Sequence, residues 1–302
     1  MAISALPRDE IAFADAAAAA GQRSRAWRRF IRNPAALLGA LVLAVVVCTA
    51  IFAPWVAPHD PAKQNLIRRF SPPVGAQGAH PSYLLGTDQV GRDILSRMIH
   101  GARISLVVGV LAVIVSVIVG VALGLSSGYL GGRVDNAIMT VVDVTLSFPQ
   151  LLLALAFVAA LGPSLTTIVI VLGLTGWERY ARVVRAEVLA LREKDFVEAA
   201  RAMGAGTRRV VMRHLLPNTF SSIIVLSTLQ VAQAILQEAA LSFLGVGSGR
   251  TYPSWGQMIA LGRDFVSVAW WLPTFPGLAI LLTVLSINLV GDRLRDALDP
   301  RS

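Results

Sequence analysis

Charged residues are scarce in this chain: 15% of its 302 residues are Asp, Glu, Lys or Arg, whereas 55% are hydrophobic. A soluble domain of ordinary composition is about one quarter charged. The hydrophobic residues also come in long uninterrupted blocks, and a helix that crosses a bilayer needs about 20 of them in a row. The composition therefore excludes an ordinary soluble protein and predicts an all-α integral membrane protein.

Cysteine and lysine are nearly absent. The one cysteine, Cys48, lies inside a hydrophobic block, so it forms no intrachain disulfide and does not indicate a redox compartment. Neither of the two lysines, Lys63 and Lys194, lies in a GxxxxGK[ST] sequence, so the chain has no P-loop with which to bind a nucleotide. The four histidines are scattered without the paired spacing of a metal site. We therefore expect neither a metal nor a cofactor in this chain.

Six blocks of the sequence are apolar enough to be membrane-spanning helices. They are residues 35–57, 104–127, 138–161, 164–180, 220–244 and 272–290. Six crossings place 19 of the 27 Lys and Arg residues on one side, and positive residues are enriched on the cytoplasmic side of membrane proteins. We therefore attribute the net charge of +9 to topology rather than to nucleic-acid binding, and we expect both termini in the cytoplasm.

These crossings divide the chain into parts. The parts are a cytoplasmic N-terminal tail (1–34), a first transmembrane helix (35–57), an extracytoplasmic segment (58–103) and a transmembrane domain (104–302). Near the end of the extracytoplasmic segment, apolar residues recur at helical spacing from Val90 to Ile99. This pattern predicts an amphipathic helix on the outer surface.

Two of the spans contain features that alter a simple helix. Pro149 lies within the third span and should kink it, because proline lacks the amide hydrogen and its ring meets the preceding turn. The fourth span runs from about Ser164 to Tyr180, and its last residues include Glu178 and Arg179. We expect this helix to continue past the inner membrane surface into water.

The second span carries a stripe of glycines, Gly120, Gly124 and Gly128. Their spacing of four places them on one helical face, where small residues let a second helix approach closely in lipid. The alternative is that they reflect the general abundance of glycine in membrane spans. Residues 124–128 also match the GxSxG pattern of hydrolases, but that motif needs a strand-turn-helix elbow with Asp and His partners, which we do not find here.

Polar residues within the spans are costly unless they meet water or one another. In the fifth span Gln230, Gln233 and Gln237 share one helical face, and Glu238 follows one step round the helix. This face either lines an aqueous pathway or forms hydrogen bonds between helices. Asp143 lies near the inner end of the third span, where it either takes part in transport or pairs with an arginine.

The polar loop 192–218 lies between the fourth and fifth spans, yet its sequence is organised. Its first half consists of good helix formers, and Gly204 and Gly206 then break the helix. Thr207 can cap a second short helix, which Pro217 ends before the next span. A compact helix–turn–helix of this kind fits either a partner protein or the lipid surface.

This loop resembles the EAA signature of bacterial ABC importer permeases, in which Glu-Ala-Ala is followed by a glycine and by a Leu-Pro ending. The matching residues are Glu198, Ala199, Ala200, Gly204, Leu216 and Pro217. Leu215 stands next to the position at which the signature has isoleucine. In such permeases this loop is the coupling helix, which docks in a groove of a separate ATPase subunit.

Further stretches extend the resemblance from about residue 25 to residue 301. They are LGTDQVGRDILSR, GYLGGRVDN, FVEAARAMGA, EAALSFLGVG, PSWGQMI and GDRLRDALDP. Together they are similar to the dipeptide/oligopeptide/nickel permease family, and specifically to its second, C-type permease. One departure is GSGRTYPSW, which retains only Pro253 where the family often has a Pro-Pro-x-Pro run. This loop is expected outside, so the change bears on docking of the binding protein.

The resemblance implies a type I ABC importer permease fold with six transmembrane helices and a cytoplasmic coupling helix, located in the bacterial inner membrane. It also implies partners: a homologous second permease, two ATPase subunits that bind ATP and magnesium, and an extracytoplasmic substrate-binding protein. The absent P-loop fits, because a chain that couples to ATP without binding it needs an ATPase from another subunit. The implied substrate is a di- or oligopeptide, and the alternatives are a nickel chelate, glutathione or a sugar.

Two rival functions are weaker. An ion-driven secondary transporter needs titratable groups at mid-membrane and often broken helices, and the spans offer only Asp143 and Glu238. A membrane-embedded hydrolase would depend on Ser126 of the GxSxG match. The expected role is therefore transport without catalysis by this chain.

Overall fold

The computed structural model describes residues 33–247 and 253–298, and this part of the chain is helical and contains no β-strand. Its α-helices are α1 (Pro34–Ile51), α2 (Ala53–Val56), α3 (Ile94–Leu130), α4 (Gly132–Leu146), α5 (Gln150–Leu161), α6 (Leu165–Leu174), α7 (Trp177–Leu191), α8 (Asp195–Ala202), α9 (Thr207–Val210), α10 (Leu216–Phe243), α11 (Trp255–Gly262) and α12 (Trp271–Leu298). Short 3-10 helices occur at Leu66–Arg68 and Arg263–Phe265, and a π-helical turn occupies Val211–Leu215. The all-α prediction is therefore confirmed. Most of the N-terminal tail, the altered loop at 248–252 and residues 299–302 lie outside the described residues.

Side-chain caps fix where the first and third helices begin. The Asn33 side chain accepts a hydrogen bond from the Ala35 amide at 3.0 Å, and Pro34 occupies the first turn, where an amide donor has no helical partner. Asp93 accepts from the Ser96 amide at 2.9 Å and so caps α3. Both helices thus begin at a polar residue that directly precedes apolar sequence.

Four helices are long and apolar enough to cross a membrane. They are Pro34–Ile51, Ile94–Leu130, Thr207–Phe243 and Trp271–Ala297. A further crossing can be formed by α4 and α5 together, which are bent by 89° relative to each other. The predicted kink at Pro149 is confirmed, and it is a complete break, because α4 ends at Leu146 and Pro149 is the N-cap residue that precedes α5.

Two expectations about individual spans are wrong. The outer amphipathic segment and the second span are one helix, because α3 runs unbroken over Ile94–Leu130. The fourth span does not continue as one helix, because α6 and α7 are separated at Thr175 and Gly176. The Thr175 hydroxyl donates back to the Val171 carbonyl oxygen at 2.9 Å, an interaction that bends helices. α6 alone has 10 residues, and its length of about 15 Å is half of what a crossing needs.

The centre of the fold is α3, which packs most extensively against α7 and also against α10, α6 and α1. The contact with α7 is formed by Gly120, Gly124 and Gly128. A Cβ atom at Gly120 would lie 2.4 Å from the carbonyl oxygen of Trp177, and one at Gly124 would lie 2.7 Å from that of Ala181. Real Cβ contacts are longer than this, so the two helices approach at a distance that leaves no room for a side chain.

Segment 58–93 is attached to the N-terminal end of α3 and to α12, although it contains no long helix. The Trp271 indole donates to the Thr87 carbonyl oxygen at 3.2 Å. The buried Asp88 carboxylate pairs with Arg92 at 2.6 Å. Because most of its polar contacts are internal or to neighbouring helices, this segment forms an ordered cover over one end of the bundle.

Replacing Gly124 by leucine should destabilise the fold. The added side chain would overlap backbone atoms of α7, and overpacking of this kind costs about 2 kcal/mol. We expect a lower midpoint of thermal unfolding in detergent and a lower yield of protein from the membrane.

A matched control is Ala122→Leu, which adds bulk to the same helix at an exposed position. Its unfolding midpoint should equal that of the unaltered protein. If Gly124→Leu and Ala122→Leu unfold at the same temperature, the glycine contact does not stabilise the bundle.

Candidate functional site

The residues singled out in the sequence fall into two regions of the structure. The first, termed the 192–217 element, comprises α8, α9, the π-helical turn and the start of α10, and it lies at the C-terminal end of α3. The second, termed the glutamine pocket, lies halfway along α3. At 1.5 Å per residue the two regions are roughly 20 Å apart along this helix.

The turn of the 192–217 element depends on Gly204. Its φ is +81°, a conformation that glycine adopts without steric cost. The Ala205 amide donates to the Ala200 carbonyl oxygen at 3.0 Å, which is the pattern of a glycine-terminated helix. Gly206 does not share this role, because its φ is −68°. It is the N-cap of α9, so the prediction that the Thr207 side chain caps this helix is wrong.

The prediction that Pro217 ends the second helix is also wrong. The chain is one continuous helix over Thr207–Phe243. Proline has no amide hydrogen, and its ring conflicts with the carbonyl group four residues earlier in a regular α-helix. The turn before it is widened, since the Leu216 amide donates to the carbonyl oxygen of Val211, five residues back. This π-helical turn accommodates the proline and lets the helix continue.

The 192–217 element has a buried face and an exposed face. Ala200 is buried, and the buried side chains of Val197, Val210 and Leu215 pack with residues of α3 and α7. The other signature residues are on the surface: Glu198, Ala199, Gly204 and Pro217 are exposed, and Leu216 is half-buried. The element is therefore fixed to the bundle on one side and free to meet a partner on the other.

Two arginines attach this element to the end of α3. Arg192 Nη1 donates to the Gly128 carbonyl oxygen at 3.1 Å. The Arg201 guanidinium lies over the Tyr129 ring, 5.3 Å from its centroid. A displacement of α8 therefore acts on α3 through polar contacts as well as through apolar packing.

The glutamine pocket lies between α3, α5, α6, α7 and α10. Gln230, Gln233 and Gln237 all line it, together with Gln150 and Gly176. The helical face identified in the sequence thus opens on a single pocket. Gln230 is buried, whereas Gln233 is exposed and Gln237 is half-buried. Within residues 33–247 and 253–298, neither Gln233 nor Gln237 has a side-chain hydrogen bond, so both amides are available to a solute or to water.

Sequence reasoning missed two residues of this region, Gln150 and Arg179. Arg179 Nη1 donates to Gln230 Oε1 at 2.9 Å, and its Nη2 donates to Gln150 Oε1 at 3.4 Å. Arg179 was expected in an aqueous extension of the fourth span, whereas in the structure it contacts two residues that line the pocket. The signal in the sequence was the recurrence of arginine every third residue at 179, 182 and 185, which places the three side chains on neighbouring positions of one helix face.

The other two arginines of this row hold α4. Arg182 pairs with Asp143 at 2.6 Å, and both side chains are more than half exposed. Arg185 forms two hydrogen bonds to Asp135, at 2.5 and 2.6 Å. Of the two roles left open for Asp143, pairing with an arginine is the one that the structure displays.

Glu238 does not line the glutamine pocket. It is fully buried among α10, α3 and the residues before α11, and it accepts hydrogen bonds from Ser242 at 2.8 Å and from Ser105 at 3.5 Å. Residues adjacent in a helix point about 100° apart, so Glu238 turns away from its neighbour Gln237. Its carboxyl group joins three parts of the bundle instead of facing a pathway.

The hydrolase motif has no active-site geometry. Ser126 lies inside α3, and its hydroxyl donates to the Ala122 carbonyl oxygen at 2.8 Å, as an ordinary helical serine does. In the part of the chain that the structure describes, no three His, Cys, Asp or Glu side chains are grouped closely enough to hold a metal ion.

Two family models match this chain. Residues 120–302 match the family described as binding-protein-dependent transport system inner membrane component. Residues 21–73 match the N-terminal transmembrane domain of oligopeptide transport permease C. The two matches together cover both termini of the bundle and the 192–217 element.

Two curated relatives are similar over nearly the whole chain. The di/tripeptide transport system permease protein DppC of Pseudomonas aeruginosa (strain UCBPP-PA14) is 47% identical over 275 residues, which is 91% of each chain. The dipeptide transport system permease protein DppC of Escherichia coli (strain K12) is 48% identical over 275 residues, 91% of this chain and 92% of the relative.

Among solved structures, the inward-facing MetNI methionine ABC transporter matches with a TM-score of 0.54 and 20% identity. The match covers 67% of this chain and 96% of that one, and it concerns the fold alone. With the first family model matching more than half of the sequence, this chain belongs to the family of binding-protein-dependent transport system inner membrane components.

Proposed function

We propose that this chain is the non-catalytic permease subunit of an ATP-driven, binding-protein-dependent importer, and that its substrate is a di- or oligopeptide. The observation that carries the proposal is the glutamine pocket, in which three amides of one membrane helix face a common space. A polar face of this kind is costly in lipid unless it meets water or a polar solute. The peptide class rests on the two relatives, whose names specify dipeptide and di/tripeptide transport.

The proposed topology has six crossings in a bacterial inner membrane, with both termini in the cytoplasm. α4 and α5 together form the third crossing, and α6 and α7 together form the fourth. The 192–217 element is then cytoplasmic, and segment 58–93 is extracytoplasmic. The five arginines and one lysine between residues 192 and 213 support this orientation, because positive residues accumulate in cytoplasmic loops.

The exposed face of the 192–217 element is the proposed contact with an ATPase subunit. It combines the carboxylate of Glu198 with the small residues Ala199 and Gly204, all exposed, so a partner can approach the backbone closely. Leu216 and Pro217 extend this surface at the start of α10, and the buried Ala200 supports it from within. ATP and magnesium would be bound by the partner subunits, since this chain has no P-loop.

The remaining partners are a homologous second permease, a second ATPase subunit and an extracytoplasmic binding protein that delivers the substrate. Many apolar residues on the spans are exposed, for example Leu41 at 62% and Ile118 at 64%. Such faces require lipid or another subunit. ATP binding by the partners would shift the bundle between outward-open and inward-open states.

Purification of the intact complex with its binding protein tests the substrate assignment. We expect mass spectrometry of the bound ligand to find short peptides, and reconstituted vesicles to import them when ATP is supplied. A nickel chelate, glutathione or a sugar as the bound ligand would contradict the peptide assignment while leaving the permease role intact. Uptake abolished by a protonophore and indifferent to ATP would contradict the ATP-driven mechanism.

Glu198→Lys and Gly204→Asp should each leave the protein inserted but uncouple transport. Both changes alter charge on the exposed face. Any side chain at position 204 must also adopt the left-handed backbone conformation of Gly204, whose φ is +81°, at a cost of about 1 kcal/mol. We expect ATP hydrolysis by the complex to continue while uptake of peptide falls about ten-fold or more. The measurement is the ratio of peptide imported to ATP hydrolysed.

The controls for these two variants are Glu198→Gln and Gly204→Ala. The alanine variant carries the backbone strain without the charge, and there is open space around Gly204 for its Cβ atom. We expect both controls to retain most of the uptake. Normal uptake of peptide in both Glu198→Lys and Gly204→Asp would mean that the 192–217 element does not take part in coupling.

Replacing Gln233 and Gln237 together by leucine should impair import or shift the range of peptides carried. The pocket would lose two amides that can hydrogen-bond a solute, whereas the apolar substitutions are compatible with a membrane helix. Initial rates of uptake for a set of dipeptides measure the effect. Leu236→Met on the same helix is the control, because Leu236 is exposed outside the pocket. Unchanged kinetics in the double variant would mean that the glutamine face serves packing only.

A further inference from the structure

We propose that Arg179, together with Gln150 and Gln230, forms an anion-binding point in the glutamine pocket that takes the carboxylate group of the transported peptide. This inference rests on the proposed function and adds to it a chemical feature of the substrate that the permease itself recognises. It assigns a role to Arg179, whose charge is not accounted for by the 192–217 element or by ion pairs between helices.

The first support is charge. α7 presents three arginines in one row, and two of them are neutralised, Arg182 by Asp143 and Arg185 by Asp135. Arg179 differs, because its hydrogen-bond partners are two neutral amides. Among the described residues, no carboxylate lies within 4.0 Å of its guanidinium nitrogens. The positive charge at the pocket is therefore not neutralised by direct pairing.

The immediate neighbour Glu178 does not take this role. Its side chain is buried, with 2% of the residue exposed, whereas Arg179 is exposed. One of its carboxylate oxygens is also without a hydrogen-bond partner in the described part of the chain. The charge of Arg179 acts on this carboxyl group through space, but the two side chains form no ion pair in the described part of the chain, and the arginine is exposed to a solute.

The second support is the orientation of the amides. Arg179 engages the Oε1 atoms of Gln150 and Gln230, so their Nε2 groups are left to donate to other acceptors. Gln150 Nε2 lies 3.5 Å from the position that a Cβ atom on Gly176 would occupy, and Gly176 lines the pocket. Gln150 and Gln230 line the pocket, and Arg179 is hydrogen-bonded to both. A guanidinium and two amide groups therefore lie beside the same space, a set of donors that suits an anion with two acceptor oxygens.

The N-terminal ends of two helices add to the positive electrostatic potential at the pocket. α5 begins at Gln150 and α7 begins at Trp177, and neither start has a side-chain cap. The N-terminal end of a helix carries a partial positive charge. None of the residues that line the pocket is acidic, so nothing in the lining opposes a bound carboxylate.

The test uses the complete transport complex with its binding protein, reconstituted in vesicles and driven by ATP. The probes are alanylalanine, which has a free carboxylate, and alanylalanine amide, which does not. We expect Arg179→Gln to lower the maximal rate of import of alanylalanine about ten-fold, because a charge-assisted hydrogen bond to its carboxylate is lost. The maximal rate for alanylalanine amide should remain nearly unchanged. The KM should change little, because the binding protein captures the peptide first.

Two further variants separate recognition from packing. Arg179→Lys keeps the charge and should restore part of the rate for the free acid. Arg182→Gln removes the neighbouring arginine and should leave the ratio of acid to amide rates as it is in the unaltered complex. If Arg179→Gln lowers both rates equally, or lowers neither, Arg179 only holds α7 to α5 and the proposal is overturned.

A second measurement does not depend on the binding protein. In a Cys48→Ser background, Gln233→Cys is labelled with a maleimide in the presence of alanylalanine or its amide. We expect the free acid to slow labelling more than the amide does, and this difference to vanish when Arg179→Gln is added. A difference that persists in the Arg179→Gln protein would overturn the proposal. If the unaltered complex imports neither dipeptide, that result counts against the proposed peptide function. The labelling experiment does not measure import, so it tests the role of Arg179 separately.

Discussion

The close approach of α3 and α7 is the constraint on which the rest of the bundle depends. Three glycines at intervals of four let the backbone of α7 lie directly on α3, with no side chain between them. In lipid the association of helices depends on such packing rather than on the exclusion of water. Because α3 is also the helix against which α10, α6 and α1 pack, its contact with α7 sets the position of nearly every other element.

The opposite face of α7 carries the polar contacts of the bundle. Arg185 and Arg182 hold α4, and Arg179 reaches the first residue of α5 and the middle of α10. α7 leads within a few residues into α8, whose exposed face is the proposed ATPase contact. One helix thus connects the proposed coupling surface to the bent pair α4 and α5 and to the glutamine pocket.

Much of this could be predicted from the sequence, and what could not has a physical explanation. Long apolar runs, a kink at Pro149 and the end of a helix at Gly204 depend on local chemistry, and all were predicted. The gap between α6 and α7 was not, because threonine and glycine interrupt a helix only when tertiary contacts favour the break. The sequence left open whether Glu238 faces a pathway or forms hydrogen bonds between helices, because a helical wheel gives its angle on α10 but not the serines of α3 and α10 that surround it. The continuation of the helix through Pro217 required a π-helical turn that no propensity indicates.

That continuity has a mechanical consequence. The residues that precede Pro217 and the glutamines of the pocket belong to a single rod of 37 residues, and Thr207 is separated from Gln233 by roughly 40 Å of helix. If one end of such a rigid helix tilts, the other end moves by a distance that is proportional to the length of the helix. Pro217 removes one hydrogen bond from this helix beside the widened turn. Bending at that point would reduce the displacement that reaches the glutamine side chains.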